Sequence, residues 1–374
     1  LDIQNPLYGA WDAQRLPVRE LALAAELTPD RWRAQDLRVR VGEGRLQIQG
    51  EYLPQSQALK LEGALHQLPL AQIHSQLAAK KAPALSGMLQ AAGKLQERVD
   101  FAVDMASAAA TATTAVNDRW NIRALKGKGY WSPAELLVES AQVNAFQAKV
   151  DARRIRVMLP ALSSVEAVLT ADAPGLSANA NIAMKEQSGD SALALKVASA
   201  ERLVRWLKQL PVLGEHLAAM QAEGAAEVQA KWTGGWKQWQ RWQQKVEGMR
   251  RPRSAPDLHL DASLQANALK LKRPASAEGK TAAKPSAADK TPPLRVAVDH
   301  LQASLRGNFD AATLLVKCDL ATNDVRARLD ADAAVRQVAD GDAHAWNVEV
   351  KRLLAETALP KQNAPFTHHI PLKP

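Results

Sequence analysis

The sequence contains one cysteine, Cys318, in 374 residues. A single cysteine excludes an intrachain disulfide framework and any zinc site built from several cysteines. Phenylalanine and tyrosine are also scarce, with 4 and 3 copies, whereas tryptophan occurs 10 times. The hydrophobic content of 47 % therefore comes mainly from Ala, Leu and Val, and it is high enough to exclude a disordered chain.

Targeting signals and the common catalytic motifs are missing. The chain opens in LDIQNPLYGAWD without a signal peptide or an apolar run long enough to span a membrane, so we expect an internal piece of a longer protein. No phosphate-binding loop, no His-Glu-x-x-His, no Gly-x-Ser-x-Gly and no calcium loop occurs. We therefore expect no enzyme activity, no catalytic residue, no cofactor and no metal site.

A few residues resemble sites only superficially. Asp299, His300 and Ser304 fall within one predicted strand region, whereas catalytic triads are assembled from separate elements. His368 and His369 are adjacent in an extended tail, so their side chains are expected to point in opposite directions. Cys318 lies in the apolar segment LLVKCDL, which favours a buried, inert thiol.

The chain is basic, with a net charge of +9 and a pI near 9.6. Such a balance is compatible with an acidic partner, either nucleic acid or an anionic membrane surface. An ordinary solvated face of Lys and Arg explains the same charge equally well.

Alternation of apolar and polar residues is the dominant pattern. In LRVRVGEGRLQIQ, residues 37–49, the apolar side chains recur at every second position around a Gly42-Glu43-Gly44 turn, which predicts a hairpin with one apolar face. Similar alternation follows in ALKLEG and RVDFAVDM. The candidate apolar groove residues are Leu37, Val39, Val41, Leu46, Ile48, Leu59, Leu61, Val99, Phe101 and Val103.

Turn residues separate these segments about every ten residues. The pattern predicts an all-β, mainly antiparallel fold, namely a long curved open sheet or β-groove (β-taco-like) with a few short helices. We expect the groove over 1–269, a disordered linker over 270–293, further groove over 294–359 and an irregular tail over 360–374.

Helical spacing interrupts the alternation near 68–79 and 199–210, with Ser199 as a candidate N-cap. Both helices are followed by Pro, Leu and Gly before a strand resumes, which indicates a weak internal repeat. A third helix is predicted near 236–249.

The third predicted helix places Trp236, Trp239 and Trp242 on one face and basic residues on the others. This arrangement suits a membrane interface or single-stranded nucleic acid, but it is more typical of a helix that packs its tryptophans on the sheet.

The long β-meander interrupted by a Leu-rich helix and Pro–Leu–Gly resembles the TamB family of translocation and assembly proteins, within the AsmA-like group. The segments that carry the resemblance are GAWDAQRLPVRELALAAEL, LRVRVGEGRLQIQGEY, LVRWLKQLPVLGEHLAAMQAEGAAEVQAKWTGGW and LHLDASLQANALKLK. The family's membrane anchor and its C-terminal partner-binding region have no counterpart in this sequence.

The resemblance implies a periplasmic segment of a protein anchored in the inner membrane of a Gram-negative bacterium. It implies a groove that transfers phospholipid or assists outer-membrane protein assembly, and a partner of the Omp85 type bound through regions outside this fragment, with no nucleic acid. The alternatives are a chaperone-like or structural β-repeat scaffold that binds nascent outer-membrane strands without lipid transport. Whether the apolar face is lipid-filled or a closed core stays open at this stage.

Overall fold

The computed structural model describes most of the chain. The described residues are 2–72, 84–107, 122–159, 163–210, 213, 217, 220–235, 237, 258–273, 294–308, 311–322, 326–340, 343–358 and 366–369. They contain twenty β-strands and divide into two compact units, with the boundary inside one strand.

Unit 1 comprises residues 1–173 with 181–183. Its strands are β1 (Asp2–Gln4), β2 (Val18–Leu27), β3 (Trp32–Val41), β4 (Gly44–Leu53), β5 (Ala58–Leu68), β6 (Leu85–Lys94), β7 (Arg98–Ser107), β8 (Ile122–Trp131), β9 (Glu135–Ala145), β10 (Ala148–Met158) and β11 (Ser164–Ala173). The strand β12 (Leu176–Lys185) contains the unit boundary.

Unit 2 comprises residues 174–180 with 184–374. Its strands are β13 (Gly189–Val197), β14 (Gln221–Thr233), β15 (His259–Arg273), β16 (Leu294–Asn308), β17 (Ala311–Ala321), β18 (Arg326–Asp340), β19 (Ala343–Ala358) and β20 (Phe366–His369). One helix, α1 (Ala200–Leu207), lies between β13 and β14.

Within each unit, every strand pairs antiparallel with the next along the chain. The pairs run from β1 to β11 in unit 1 and from β13 to β20 in unit 2. Among the described strands no pairing joins the first strand of a unit to its last, so neither meander closes into a barrel. The predicted all-β, antiparallel, open-sheet fold is confirmed.

The hairpin of β3 and β4 shows how the sequence produces this architecture. Leu37 lies opposite Ile48 and Val39 opposite Leu46, as the alternation predicts. The two-residue connection starts at Gly42, whose φ of 58° lies in the left-handed region that glycine adopts without steric cost. A positive φ at the first turn position is the pattern of tight hairpins that match the strand twist.

The helix α1 lies inside the segment predicted as helical from its leucine spacing. Ser199 has extended backbone geometry, and its side chain accepts a hydrogen bond from the backbone N–H of Arg202 at 3.3 Å. This bond satisfies one of the free N–H groups at the helix start.

Three predicted boundaries require correction. The strand β5 continues to Leu68 and a 3-10 turn follows at Leu70–Gln72, so the helix predicted over 68–79 does not begin at 68; residues 73–83 lie outside the described ones. The strand β15 extends through Arg273, because Leu269 and Leu271 continue the alternation into the predicted linker.

The tail also departs from the prediction. Residues Phe366–His369 form β20, which pairs with residues 354–357 of β19, so this part of the predicted irregular tail is a strand. Residues 274–293 of the predicted linker lie outside the described part of the chain.

Candidate functional site

The candidate site is the apolar face of unit 1. Cross-strand partners continue from one strand to the next, because Leu37 lies opposite Ile48, Ile48 opposite Gly63, Gly63 opposite Leu89 and Leu89 opposite Val103. Side chains directly opposite each other project from the same face of a sheet. The register therefore places all the predicted groove residues on one face.

The face extends over the strands from β2 to β11. Its side chains, read from the register, are Val18, Leu21, Leu23, Ala25, Leu27, Trp32, Ala34, Leu37, Val39, Val41, Leu46, Ile48, Gly50, Tyr52, Leu59, Leu61, Gly63, Leu65, Leu85, Gly87, Leu89, Ala91, Gly93, Val99, Phe101, Val103, Met105, Ser107, Leu125, Gly127, Gly129, Trp131, Leu136, Val138, Ala141, Val143, Val150, Ala152, Ile155, Val157, Val165, Leu169 and Ala171. None is charged.

This face is only partly shielded from solvent. Of the predicted groove residues, Val99 is buried and the others are half-buried. Trp32 is 51 % exposed and Leu27 72 % exposed. No large side chain in the described part of the chain is fully buried, so this face shows none of the fully buried large side chains that fill a closed sandwich core.

The opposite face of unit 1 is mainly polar and carries half-buried and exposed ion pairs. Arg40 pairs with Glu20 at 3.3 Å and Lys126 with Asp104 at 3.0 Å. Exposed pairs of this kind contribute little to stability. Their charges suit this face to water, whereas the side chains named above on the other face carry no charge.

A cross-strand network on the polar face links Tyr130, Glu135, Arg156 and Arg98. The Tyr130 hydroxyl donates to Glu135 Oε1, and Arg156 Nε donates to Glu135 Oε2 at 2.5 Å. These two donors hold the pKa of Glu135 below its ordinary value, and the bond to Glu135 raises the pKa of Tyr130. The Arg98 guanidinium lies 3.9 Å from the centre of the Tyr130 ring. The network links β7, β8, β9 and β10 at one end of these strands.

One end of the apolar face of unit 1 is closed by leucines. Leu65, Leu70 and Leu85 form a buried cluster around the 3-10 turn that follows β5. Half-buried residues that pack on it are Leu46, Leu68, Met105 and Ile122. Here the interruption of the meander folds back onto the apolar side.

Unit 2 carries a corresponding face. Leu195 lies opposite Val228, Val228 opposite Leu264 and Leu264 opposite Ala303. Other members are Leu193, Val197, Ala226, Ala230, Trp232, Leu260, Ala262, Ala266, Leu301, Leu305, Leu314, Val316, Cys318, Leu329, Ala331, Ala333, Val335, Val348 and Val350.

In unit 2 the helix α1 covers one end of the apolar face. Its buried residues Ala200 and Val204 pack against Ala222, with Val197 and Leu269 beside them. The non-strand segments after β5 and after β13 therefore have the same structural role, because each shields one end of the apolar face of its unit.

The remaining sequence candidates do not form a site. His300 Nδ1 lies 3.0 Å from Asn267 Oδ1, and Ser304, four residues along β16, is about 13 Å away at the rise of a strand. Asp299 sits at a register shift. Cys318 is buried, and desolvation raises the pKa of its thiol.

The side chains of two groups of predicted residues lie outside the part of the chain that the structure describes. Trp236, Trp239 and Trp242 lie outside the described residues, and so do the side chains of His368 and His369. In the part that the structure does describe, no group of His, Cys, Asp and Glu could hold a metal ion. No helix there has the length and hydropathy needed to cross a membrane.

Many members of the face were absent from the sequence prediction, and the aromatic ones among them are Trp32, Tyr52 and Trp131. Each lies in register with the predicted groove residues, since Tyr52 is opposite Leu59 and Trp131 is opposite Val99. The signal was their position in the alternation, as in GYW at 129–131. A register shift between Ala34 and Leu37 hides this relation for Trp32.

Comparison with known proteins gives no relative from which a function could be transferred: no family model, no curated protein and no solved structure matches this chain.

Proposed function

We propose that this chain provides an apolar β-surface that binds the acyl chains of phospholipid. The observation that carries the proposal is the uncharged face of β2 to β11, which is continuous in register and only half shielded from water.

The energetics of this face favour an occupant. Exposing apolar surface to water costs about 25 cal/mol per Å², and soluble monomers rarely expose contiguous apolar patches above a few hundred Å². Here leucine, valine and isoleucine side chains from ten consecutive strands share one face, and most of them are only half-buried. A ligand that covers the face therefore stabilises the protein.

The chemistry of the face favours alkyl chains over peptide. The middle of the strands offers Leu, Val, Ile, Ala, Gly, Met and Phe side chains and no hydrogen-bonding group. The hydroxyl of Ser107, at one strand end, already donates to the carbonyl of Ile122 at 2.9 Å. A peptide laid on such a surface would bury unpaired N–H and C=O groups, each at a cost of about 1–3 kcal/mol. An alkyl chain has no such groups.

The resemblance to the TamB and AsmA-like proteins suggests a cellular context for this lipid binding. In that setting the chain is a periplasmic part of a protein anchored in the inner membrane of a Gram-negative bacterium, and it moves phospholipid or assists outer-membrane protein assembly. An Omp85-type partner would then bind outside this fragment. The chain acts without catalysis.

A second candidate is a scaffold for nascent outer-membrane strands. It draws on one observation: among the described residues, β20 pairs only with residues 354–357 of the long strand β19. A strand edge that lacks a full-length neighbour can accept an added strand.

The test uses the purified chain and mass spectrometry of lipid extracted from it. Ile48→Arg places a charge on the apolar face, and Gln49→Arg places the same charge on the polar face of the same strand. A long side chain on a face open to solvent can reach water, so both variants should fold. Bound phospholipid should fall several-fold in Ile48→Arg and stay at the wild-type amount in Gln49→Arg.

Three outcomes contradict the proposal. Absence of lipid from the wild-type chain, together with binding of outer-membrane strand peptides, would favour the scaffold. Equal lipid in both variants means that the face at Ile48 does not contact lipid. Loss of folding in Ile48→Arg alone, seen as a collapse of the unfolding midpoint, indicates a closed core, where an unpaired charge is strongly destabilising.

A further inference from the structure

The apolar face of unit 1 has two chemically different ends. Trp32, at the start of β3, lies opposite Tyr52 near the end of β4, and their rings are 5.4 Å apart at 56°. Trp131 is the last residue of β8. In an antiparallel meander these positions fall at the same end of the sheet. They are the members of this face that combine an aromatic ring with a polar atom.

The other end of the same face is aliphatic. The cluster of Leu65, Leu70 and Leu85, with its neighbours Leu46 and Met105, lies at the opposite ends of the strands. The aromatic residues Tyr8 and Trp11 belong to the connection between β1 and β2 and not to the strand face.

Unit 2 shows the same polarity independently. Trp232 lies near the end of β14, opposite Leu260 of β15. The other end of β14 is covered by α1 through the contact of Val204 with Ala222. In both units a tryptophan of the strands lies at one end of the apolar face, and buried aliphatic residues cover the other end.

Trp and Tyr prefer boundaries between apolar and polar surroundings, because the ring is apolar and the N–H or O–H needs a polar partner. On a face that holds a lipid, that boundary is the junction of acyl chains and headgroup. From Tyr52 to Leu46 the strand advances about 20 Å, and one leaflet of bilayer hydrocarbon is about 15 Å thick. The strand length between the two ends thus accommodates the acyl chains of one phospholipid.

We propose that bound phospholipid has a fixed orientation. Its headgroup lies at the end of the face that carries Trp32, Tyr52 and Trp131, and its acyl chains run along the strands toward the leucine cluster. In unit 2, Trp232 takes the headgroup side. This inference rests on the proposed function and adds an orientation to it.

The orientation is measured with a fluorescent label and nitroxide lipids. In a Cys318→Ala background, Trp131→Cys and Leu125→Cys place the label at the two ends of β8. The chains are loaded from phosphatidylcholine vesicles in which a fraction of the lipid carries a nitroxide either on the headgroup or at the end of an acyl chain. The headgroup nitroxide should quench the label at 131 at least two-fold more than at 125, and the chain-end nitroxide should do the reverse.

A second arm avoids labels on the face. Replacing Trp32, Tyr52 and Trp131 together by Phe keeps an aromatic ring at each position and removes the polar atoms. Bound phosphatidylcholine should fall several-fold, while bound hexadecane, which has no headgroup, should change little. Phe101→Leu is the control: Phe101 is an aromatic residue of the same face without a polar atom, so its replacement should affect both ligands alike.

Each of these measurements can contradict either the orientation or the proposed function. Equal quenching at both positions, or the reversed pattern, overturns the orientation while leaving lipid binding intact. Equal loss of phosphatidylcholine and hexadecane in the triple variant would show that the three aromatic residues pack at the end of the sheet and do not contact the headgroup. Failure of the wild-type chain to take up any lipid removes the proposed function itself and the orientation with it.

Discussion

Glu135 is a single residue that links neighbouring strands on the polar face of unit 1 through side-chain hydrogen bonds. Its side chain is 13 % exposed, and it accepts hydrogen bonds from Tyr130 and Arg156, which come from the two neighbouring strands. Both donors stabilise the carboxylate, so the pKa of Glu135 is lower in the folded chain than in the unfolded one. Stability from this network is therefore present above the unfolded pKa and is lost as the pH falls through the folded pKa.

Glu135→Gln should make the chain less stable at neutral pH, and it should flatten the loss of stability that the wild-type chain shows as the pH falls through the lowered pKa of Glu135. Urea unfolding midpoints measured from pH 7 to pH 3 test this. Glu139→Gln is the matched control, because Glu139 is 44 % exposed and lies 3.6 Å from Lys128. Parallel pH curves for wild type and Glu135→Gln would contradict the role given to Glu135.

Some residues were predictable from the sequence and others were not. Leu37 to Ile48 alternate cleanly around Gly42, so both their strand and their shared face follow from period two. The turn at Phe146 and Gln147 has no glycine, yet both residues have positive φ, so the sequence gives no hairpin signal there. The shift that brings Trp32 into register with Tyr52 depends on a bulge, which alternation alone does not reveal.

At the scale of elements, the helix α1 owes its stability to the sheet. Eight residues are too few for a stable isolated helix in water. Its start is fixed against Gly175, whose carbonyl accepts from the backbone N–H of Ala198 at 2.9 Å. Gly175 has a φ of 83°, and a Cβ there would lie 2.4 Å from the carbonyl oxygen of Ser199. The helix is a fixed closure of this end of the face.

Val204→Asp should undock this closure. Val204 is 8 % exposed, and an unpaired carboxylate against Ala222 should cost about 2–4 kcal/mol. Hydrogen exchange should then accelerate at the amides of α1 and at the adjoining end of β14, with a lower unfolding midpoint. Arg202→Asp, an exposed change in the first turn of the helix, is the control and should leave both readouts near wild type. Unchanged protection in Val204→Asp would mean that α1 does not depend on this contact.

The helix itself was predictable from leucine spacing and Ser199, but its contact with Gly175 was not, because Gly175 and Ser199 are distant in sequence and belong to different connections. The same holds for the leucine cluster in unit 1. Leu70 reads as part of a helix in the sequence, and its packing on Leu65 and Leu85 depends on how the chain turns after β5.

At the scale of the whole molecule, stability and ligand binding are coupled. A chain with no fully buried large side chain among its described residues has less dry core than a globular protein of its length, since buried apolar area supplies most of the folding free energy. A ligand that binds the folded state and not the unfolded one adds RT ln(1 + [L]/Kd) to stability. Under the proposed function, lipid on the apolar face is such a ligand.

Removing lipid should therefore weaken the fold and expose the face. After delipidation, the unfolding midpoint should fall and the emission of an apolar-surface dye should rise, because leucine and valine side chains lose their cover. Phosphatidylcholine at about 100 times its Kd should restore about 2.7 kcal/mol, and Ile48→Arg should recover less. A delipidated chain that keeps its midpoint and binds no dye, at both high and low protein concentration, would show that the face is covered without lipid.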